Sequence, residues 1–243
     1  MKAQTHSYQP RIERGETIIW VPHKDRELGF PFPPIGPDIY RKTGSELLKR
    51  GVAPAVGDEV ASLVHVAYCN QRMHDEPECE TIQNNIQDAG IWIFNRNLWT
   101  DSGVYVIHDR KAVGTSKKLS MSQLEQMLKG GKEVQNVRFS KDGTIRFAPK
   151  GTYRLGEHTS DSLALDGFMI AMFGVEEAKK MSEVSERFKY QPEVFGIEIK
   201  EGKKSIQTVA ALNSNWDLDE RRLGVVGDDH SGYGLCCAFG VHK

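Results

Sequence analysis

Ala211-Leu212-Asn213-Ser214-Asn215-Trp216, Arg222-Leu223-Gly224-Val225-Val226-Gly227 and Cys237-Ala238-Phe239-Gly240-Val241 mark where this chain changes character. From Asn213 to His242 it has no lysine, methionine, glutamine, threonine, isoleucine or proline, although lysine is frequent before that point. In their place stand Asn213, Asn215, Asp217, Asp219, Gly224, Asp228, Asp229, His230, Ser231, Gly232, Tyr233, Gly234, Cys236 and Cys237. An apolar set is threaded between them: Leu212, Leu223, Val225, Ala238, Phe239 and Val241. Leu223 and Val225 alternate with Gly224 and Val226, and Phe239 and Val241 with Gly240 and His242, as in a strand with one buried face. A glycine-rich hairpin with polar turns accounts for the glycines and aspartates. It does not account for the joint absence of so many common residues, nor for vicinal thiols, which are a liability when exposed.

The segments upstream mix α and β. Thr17-Ile18-Ile19-Trp20-Val21 reads as a short strand ended by Pro22, and Phe30-Pro31-Phe32-Pro33-Pro34 as an extended surface segment, in a loop-rich stretch over residues 1–44. Helices are expected from Ser45 to Arg50, where serine is the N-cap and Gly51 the stop, and from Asp58 to Asn70, where Val60, Leu63, Val64 and Ala67 share a face. Ile91–Phe94 and Val104–Ile107 are dense in β-branched and aromatic residues. Ser120-Met121-Ser122-Gln123 reads as a capping box ahead of Leu124, Met127 and Leu128, with Gly130-Gly131 as the stop. Val137–Phe139 and Ile145–Phe147 flank Lys141-Asp142-Gly143 as a hairpin. A helix over Glu176–Phe188 and strands over Val194–Ile199 and Gln207–Leu212 complete the pattern. No regular βαβ rhythm runs through it, so an α+β fold with mixed and antiparallel sheets and flanking helices is expected, as one domain over residues 1–243.

Bulk properties narrow the function. With 32 basic and 33 acidic residues the net charge is −1, which disfavours general nucleic-acid binding. The N-terminus has no apolar core of a signal peptide, and Gly167–Val175, the most apolar stretch, is too short to cross a bilayer. A protein without membrane insertion is expected; surface display or virion association is compatible with this. Cys69, Cys79, Cys236 and Cys237 are too few for a disulfide framework. His65, Cys69, His74 and Cys79 match no common zinc spacing, and Asp75-Glu76-Pro77-Glu78 with Glu80 lacks the pattern of a calcium loop and reads as a solvated acidic turn. His108-Asp109 is a poor dyad, since adjacent strand residues face opposite ways. Lys117-Lys118 and Lys203-Lys204 read as solubility features. No phosphate loop or nucleophile elbow occurs. Neither a metal, a cofactor nor a catalytic residue is therefore expected.

The three C-terminal segments quoted above resemble the variable region of diversity-generating retroelement variable proteins, archaeal and viral members above all. In that family a reverse transcriptase randomises template adenines, so that codons of the AAC or AAT type become many residues but never stop codons. Asn, Asp, His, Tyr, Ser, Gly, Cys, Leu and Val are reachable in this way; Lys, Glu, Gln, Met and Trp are not. The resemblance covers about the last thirty residues and implies a C-type lectin fold with variable residues on a ligand-binding surface. It assigns variable contacts to Asn213, Asn215, Asp217, Asp219, Gly224, Val226, Asp228, Asp229, His230, Ser231, Tyr233, Leu235, Cys236 and Cys237, within a region of about 213–237. Trp216 and Glu220 lie outside the reachable set and read as scaffold with Arg222, Leu223, Val225, Phe239 and Val241. In such folds the terminal strands meet, so Thr17–Val21 is expected to pair with Phe239–His242. Carbohydrate-binding C-type lectins hold calcium with Glu-Pro-Asn or Gln-Pro-Asp loops and a Trp-Asn-Asp triplet. Here the order is Asn215-Trp216-Asp217 and both loops are missing, so calcium-dependent sugar binding is not expected.

The function expected is non-catalytic recognition of a protein or cell-surface ligand. A diversified surface resembles a paratope, with Tyr giving rigid contact area and Asn, Ser, Asp and Gly giving adaptable hydrogen bonds. The alternative is an oxidase resembling formylglycine-generating enzymes, which share this fold and use C-terminal cysteines. Adjacent Cys236 and Cys237 are poorly placed for joint ligation or for an unstrained disulfide.

Overall fold

Ten consecutive residues, Ile91–Thr100, are buried at every position, and their two faces have different neighbours. Ile91, Ile93 and Trp99 enter the main core, whereas Trp92 and Phe94 pack on the other side with Tyr40, Val209, Ala211 and Cys236. Leu98 continues that second side into a cluster with Tyr105, Leu124, Leu128, Ile145 and Phe147. The apolar run at its start, Ile91–Phe94, fits a strand covered on both faces. The buried Asn95, Arg96 and Asn97 that follow each donate a hydrogen bond to a backbone carbonyl. Each large apolar side chain so buried contributes about 1.5–3 kcal/mol.

The computed structural model describes residues 8–214, 221–229 and 235–242. In chain order these form β1 (Arg11–Glu13), β2 (Ile18–His23), β3 (Arg26–Pro31), β4 (Ile35–Asp38), α1 (Tyr40–Lys49), β5 (Ala53–Pro54), α2 (Gly57–Cys69) and α3 (Pro77–Asp88). Then come β6 (Ile91–Thr100), β7 (Gly103–His108), α4 (Met121–Leu128), β8 (Lys132–Val134), β9 (Val137–Phe139), β10 (Ile145–Pro149) and β11 (Gly156–Glu157). The chain continues through α5 (Ser160–Leu165), α6 (Gly167–Phe173), α7 (Val175–Ser185), β12 (Glu193–Phe195), β13 (Ile206–Ser214), β14 (Leu223–Asp229), β15 (Cys236–Ala238) and β16 (Gly240–Val241). The large sheet runs β11-β12-β14-β13-β6-β7-β10-β9-β8, with β15 bonded to β6 and β4. Its pairings are antiparallel except β12 with β14 and β15 with β6. Helices α2, α6 and α7 pack together with the N-terminal hairpin on one side of this sheet, which is the expected α+β class.

Several local expectations change in the tertiary context. Strand β2 runs through Pro22, because β1 reaches only Trp20 and leaves that edge with no bond for Pro22 to donate. Phe30 is not on a surface segment: it pairs with Ile19 in β3 and is fully buried. Helix α1 begins five residues earlier than expected and contains Gly44, where a Cβ would stand 2.1 Å from that of Ala112. The acidic turn is instead the first turn of α3, with Pro77 at its start and Glu78 and Glu80 near its positive end. The expected pairing of Thr17–Val21 with Phe239–His242 does not form, since β2 is already flanked by β1 and β3. His242 instead bridges Gly29 in β3, and β16 pairs with β5.

Candidate ligand-binding surface

Strands β13 and β14 form the antiparallel pair on which the C-terminal segment is built, with Leu212 opposite Val225 and Asn213 opposite Gly224. The pleat sorts their residues. Leu212, Leu223 and Val225 lie in the main core, fully buried. Ala211 and Val226 belong to the opposite face, packed with Trp92 and Cys236. Buried donors hold β14 in this register. The Gly227 carbonyl accepts from Asn97 Nδ2 at 2.8 Å, Thr208 Oγ1 at 2.6 Å and Trp99 Nε1 at 3.1 Å. A Cβ at Gly227 would stand 2.4 Å from Phe168, so the backbone can approach only as glycine. Arg222, buried beside this strand, pairs with Glu157 at 2.5 Å and Glu193 at 3.3 Å.

Among the expected contact residues, Asn213, Val226, Asp228 and Asp229 are half-buried, and Leu235 is 58% exposed. Gly224, Cys236 and Cys237 are buried, which corrects their placement on an exposed surface. Gly224 is covered by the Asn213 side chain, whose Oδ1 lies 2.3 Å from where a Cβ on Gly224 would be. Cys236 is enclosed between β4 and the turn at Gly90, where an added Cβ would meet its Sγ at 2.9 Å. The Cys237 amide donates to the Gly90 carbonyl at 3.0 Å. Asn215, Asp217, Asp219, His230, Ser231 and Tyr233 lie outside the described residues, as do Trp216 and Glu220.

Beside β15 opens a cleft of about 720 Å³ whose walls are β4 and α1, from Ile35 to Lys49. Cys236 pairs with Asp38 on its floor, and the Asp38 carbonyl accepts from Trp92 Nε1 at 2.9 Å. Of this wall the sequence pattern predicts only the helix from Ser45 and leaves residues 35–44 as loop, because the β4–β15 pairing joins residues some 200 positions apart and leaves no local signal. Two of its lysines have acidic partners in the same wall: Lys42 faces Asp38 at 3.4 Å and Lys49 faces Glu46 at 3.7 Å.

Both C-terminal thiols are buried. Burial, then the charges of Asp229 and Cys237, push Cys236 up to about 12, and burial raises Cys237 as well. A thiol held protonated and enclosed is a poor nucleophile and a poor metal ligand. Among the described residues no group of three or more His, Cys, Asp or Glu side chains is arranged to hold a metal. His65 instead meets Glu183 at 2.6 Å and His74 meets Asp75 at 3.1 Å. The carboxylate of Asp109 accepts from Tyr40 and Gly114, while His108 lies near Asp58 and Arg146, so this adjacent pair does face opposite ways. No helix among the described residues is long and apolar enough to cross a membrane.

The chain matches no protein-family profile and no curated protein. Among solved structures it is similar to one described as the accommodation of massive sequence variation in Nanoarchaeota by the C-type lectin fold. That likeness has 9% identity and a TM-score of 0.42, and covers 84% of this chain and 94% of that one.

Proposed function

We propose that this protein is a non-catalytic recognition protein whose contact surface is carried by the β13–β14 pair and the segments that follow each strand, on a C-type lectin-type scaffold. The observation that supports this most is the sorting of side chains along β14. Leu223 and Val225 are committed to the core, while Val226 and the neighbouring Asn213 stand on the opposite face, only half covered. A diversified surface requires this separation, because the residues that define the backbone register must not be the ones that change. The residue types of the C-terminal segment, which adenine-targeted codons could supply, add an independent reason and favour a variable protein of a diversity-generating retroelement.

On this reading the ligand is a protein or another cell-surface group, met by Asn213, Asn215, Asp217, Asp219, Val226, Asp228, Asp229, His230, Ser231, Tyr233 and Leu235. Gly224, Cys236 and Cys237 are buried supports. Sequencing the flanking DNA tests it. The expected result is a near-identical template repeat, differing at adenines aligned with these codons, beside a reverse-transcriptase gene. A locus with neither rules out diversification.

A further inference from the structure

At the end of the large sheet opposite β11, strands β8, β9 and β10 meet the β2–β3 turn and the junction between α6 and α7. These three units leave a recess of about 380 Å³ between them, a size that suits a small molecule. Its apolar lining includes Val134, Phe139 and Val175, and its charged lining is Lys24, Lys132, Arg146, Glu176 and Glu177. None of these residues belongs to β13 or β14.

Two of the charged groups are buried, where an incompletely paired charge is costly: Arg146 is 4% exposed and Glu177 3%. They do not pair with each other. Arg146 spreads its donors over the carbonyls of Gly143, Ala171 and Met172 and the carboxylate of Asp58, all at 3.1–3.4 Å, at or beyond the long end of the normal range. Glu177 has less still. His23 Nδ1 stands 3.8 Å and Lys180 Nζ 4.0 Å from its carboxylate, and no side chain among the described residues comes within hydrogen-bond distance of it. The His23 nitrogen is turned to Ser62 Oγ instead, at 2.9 Å, and Lys24 is bonded to Asp58 at 2.7 Å. Burial raises the Glu177 carboxyl, as it must without a cation in contact.

Gly174 keeps the space between the two groups open. A Cβ there would lie 3.4 Å from Glu177 Oε2 and 3.7 Å from Arg146 Nη1, and no other described residue beyond its chain neighbours comes within 4 Å of that point. A carboxylate oxygen and a guanidinium nitrogen thus face one unfilled gap. The φ of +86° at Gly174 favours glycine, so the backbone itself excludes a side chain from it. At the rim, Lys132 is exposed, holds its Nζ 5.9 Å from the Phe139 ring centroid and has no acidic partner among the described residues.

We propose that this recess binds a free α-amino acid with an apolar side chain. The ammonium donates to Glu177 Oε2, the carboxylate accepts from Arg146 Nη1 and Lys132 Nζ, and the side chain lies against Val134, Phe139 and Val175. A zwitterion fits where either charge alone does not. An amine without a carboxylate meets Lys132 and Arg146 uncompensated, and an acid without an amine meets Glu177 in the same way. This site is independent of the β13–β14 surface and stands whether or not that surface is diversified.

The test is titration of the full chain with L-leucine and L-phenylalanine, each alongside its decarboxylated amine and its desamino acid. Backbone amide shifts are followed by NMR and affinities by calorimetry. Saturable shifts centred on Val134, Gly174 and Val175 are expected with at least one of the two amino acids. The matching amine and acid should each bind at least about tenfold more weakly, for one lost charge-assisted contact. Lys132→Ala, which changes an exposed side chain, should weaken binding about threefold to tenfold, and Glu177→Gln by at least about tenfold. Lys189→Ala, past the other end of α7, should bind as the parent does. No saturable response to either amino acid, shifts centred elsewhere, an amine or acid that binds as tightly as its amino acid, or parent-like affinity in Lys132→Ala would each overturn the proposal.

Discussion

Asn213 and Gly224 face each other across the β13–β14 pair, and the asparagine Oδ1 occupies space that any larger residue at 224 would enter. The two positions are therefore one unit in packing terms. Gly224→Ser is expected to lower stability by about 1 kcal/mol with Asn213 in place, and by less than half of that in an Asn213→Ala background. Denaturant unfolding of the four proteins measures the coupling. Strictly additive costs would show that the side chains are not in contact.

Scaffold and surface should separate in stability. Leu223→Ala removes a fully buried side chain and is expected to cost about 2–5 kcal/mol, and Val225→Ala somewhat less. Leu235→Ser changes a residue that is 58% exposed and should stay within about 0.5 kcal/mol of the parent. If Leu235→Ser proved as costly as Leu223→Ala, the division between support and contact would be lost.

The C-terminal thiols should resist labelling. In a Cys69→Ser/Cys79→Ser background only Cys236 and Cys237 remain to report. An aromatic disulfide reagent at pH 8 is expected to modify them at least about 100-fold more slowly in native protein than in denaturant, since the enclosed, protonated thiol reacts poorly. Rapid native labelling would bring thiol chemistry, and the oxidase reading with it, back into consideration.

Acidification should weaken the fold through two histidines. Burial lowers His23 to about 4, and burial together with Arg146 lowers His108 to about 3, against an ordinary 6.5. Between those values the unfolded chain binds the protons that the folded one refuses, so stability falls as pH drops below about 6.5. Glu177, raised by burial, works in the opposite sense as it protonates in the folded state. Asp58, held low by Arg146 and Lys24 against its own burial, adds its loss only below the ordinary carboxylate range. From pH 7 to 5 the melting temperature should fall by roughly 5 °C. His23→Gln should fall less, which thermal melts at the two pH values would check; an equal fall would remove His23 from the account.

Long elements with a clear period were legible in the sequence. Helix α2, the β9–β10 hairpin and strand β13 stand where the hydrophobic pattern put them. The alternation along β14 correctly separated Leu223 and Val225 from Val226. Elements whose local signals conflicted were not legible. Gly44 and Thr43 look like helix breakers, yet α1 carries both, because the small residue lets the helix rest against Ala112 and Phe94.

By itself the sequence determined the α+β class, the strand character of the C-terminal segment and its peculiar composition, all of which are properties of neighbouring residues. Only the tertiary structure decided that Gly224, Cys236 and Cys237 are covered, that β4 and α1 wall a cleft beside β15, and that Arg146 and Glu177 line one recess. The physical reason is the same in each case. Periodicity reports which face of an element is apolar, but burial and charge clustering depend on what the chain brings back from far away to cover that face.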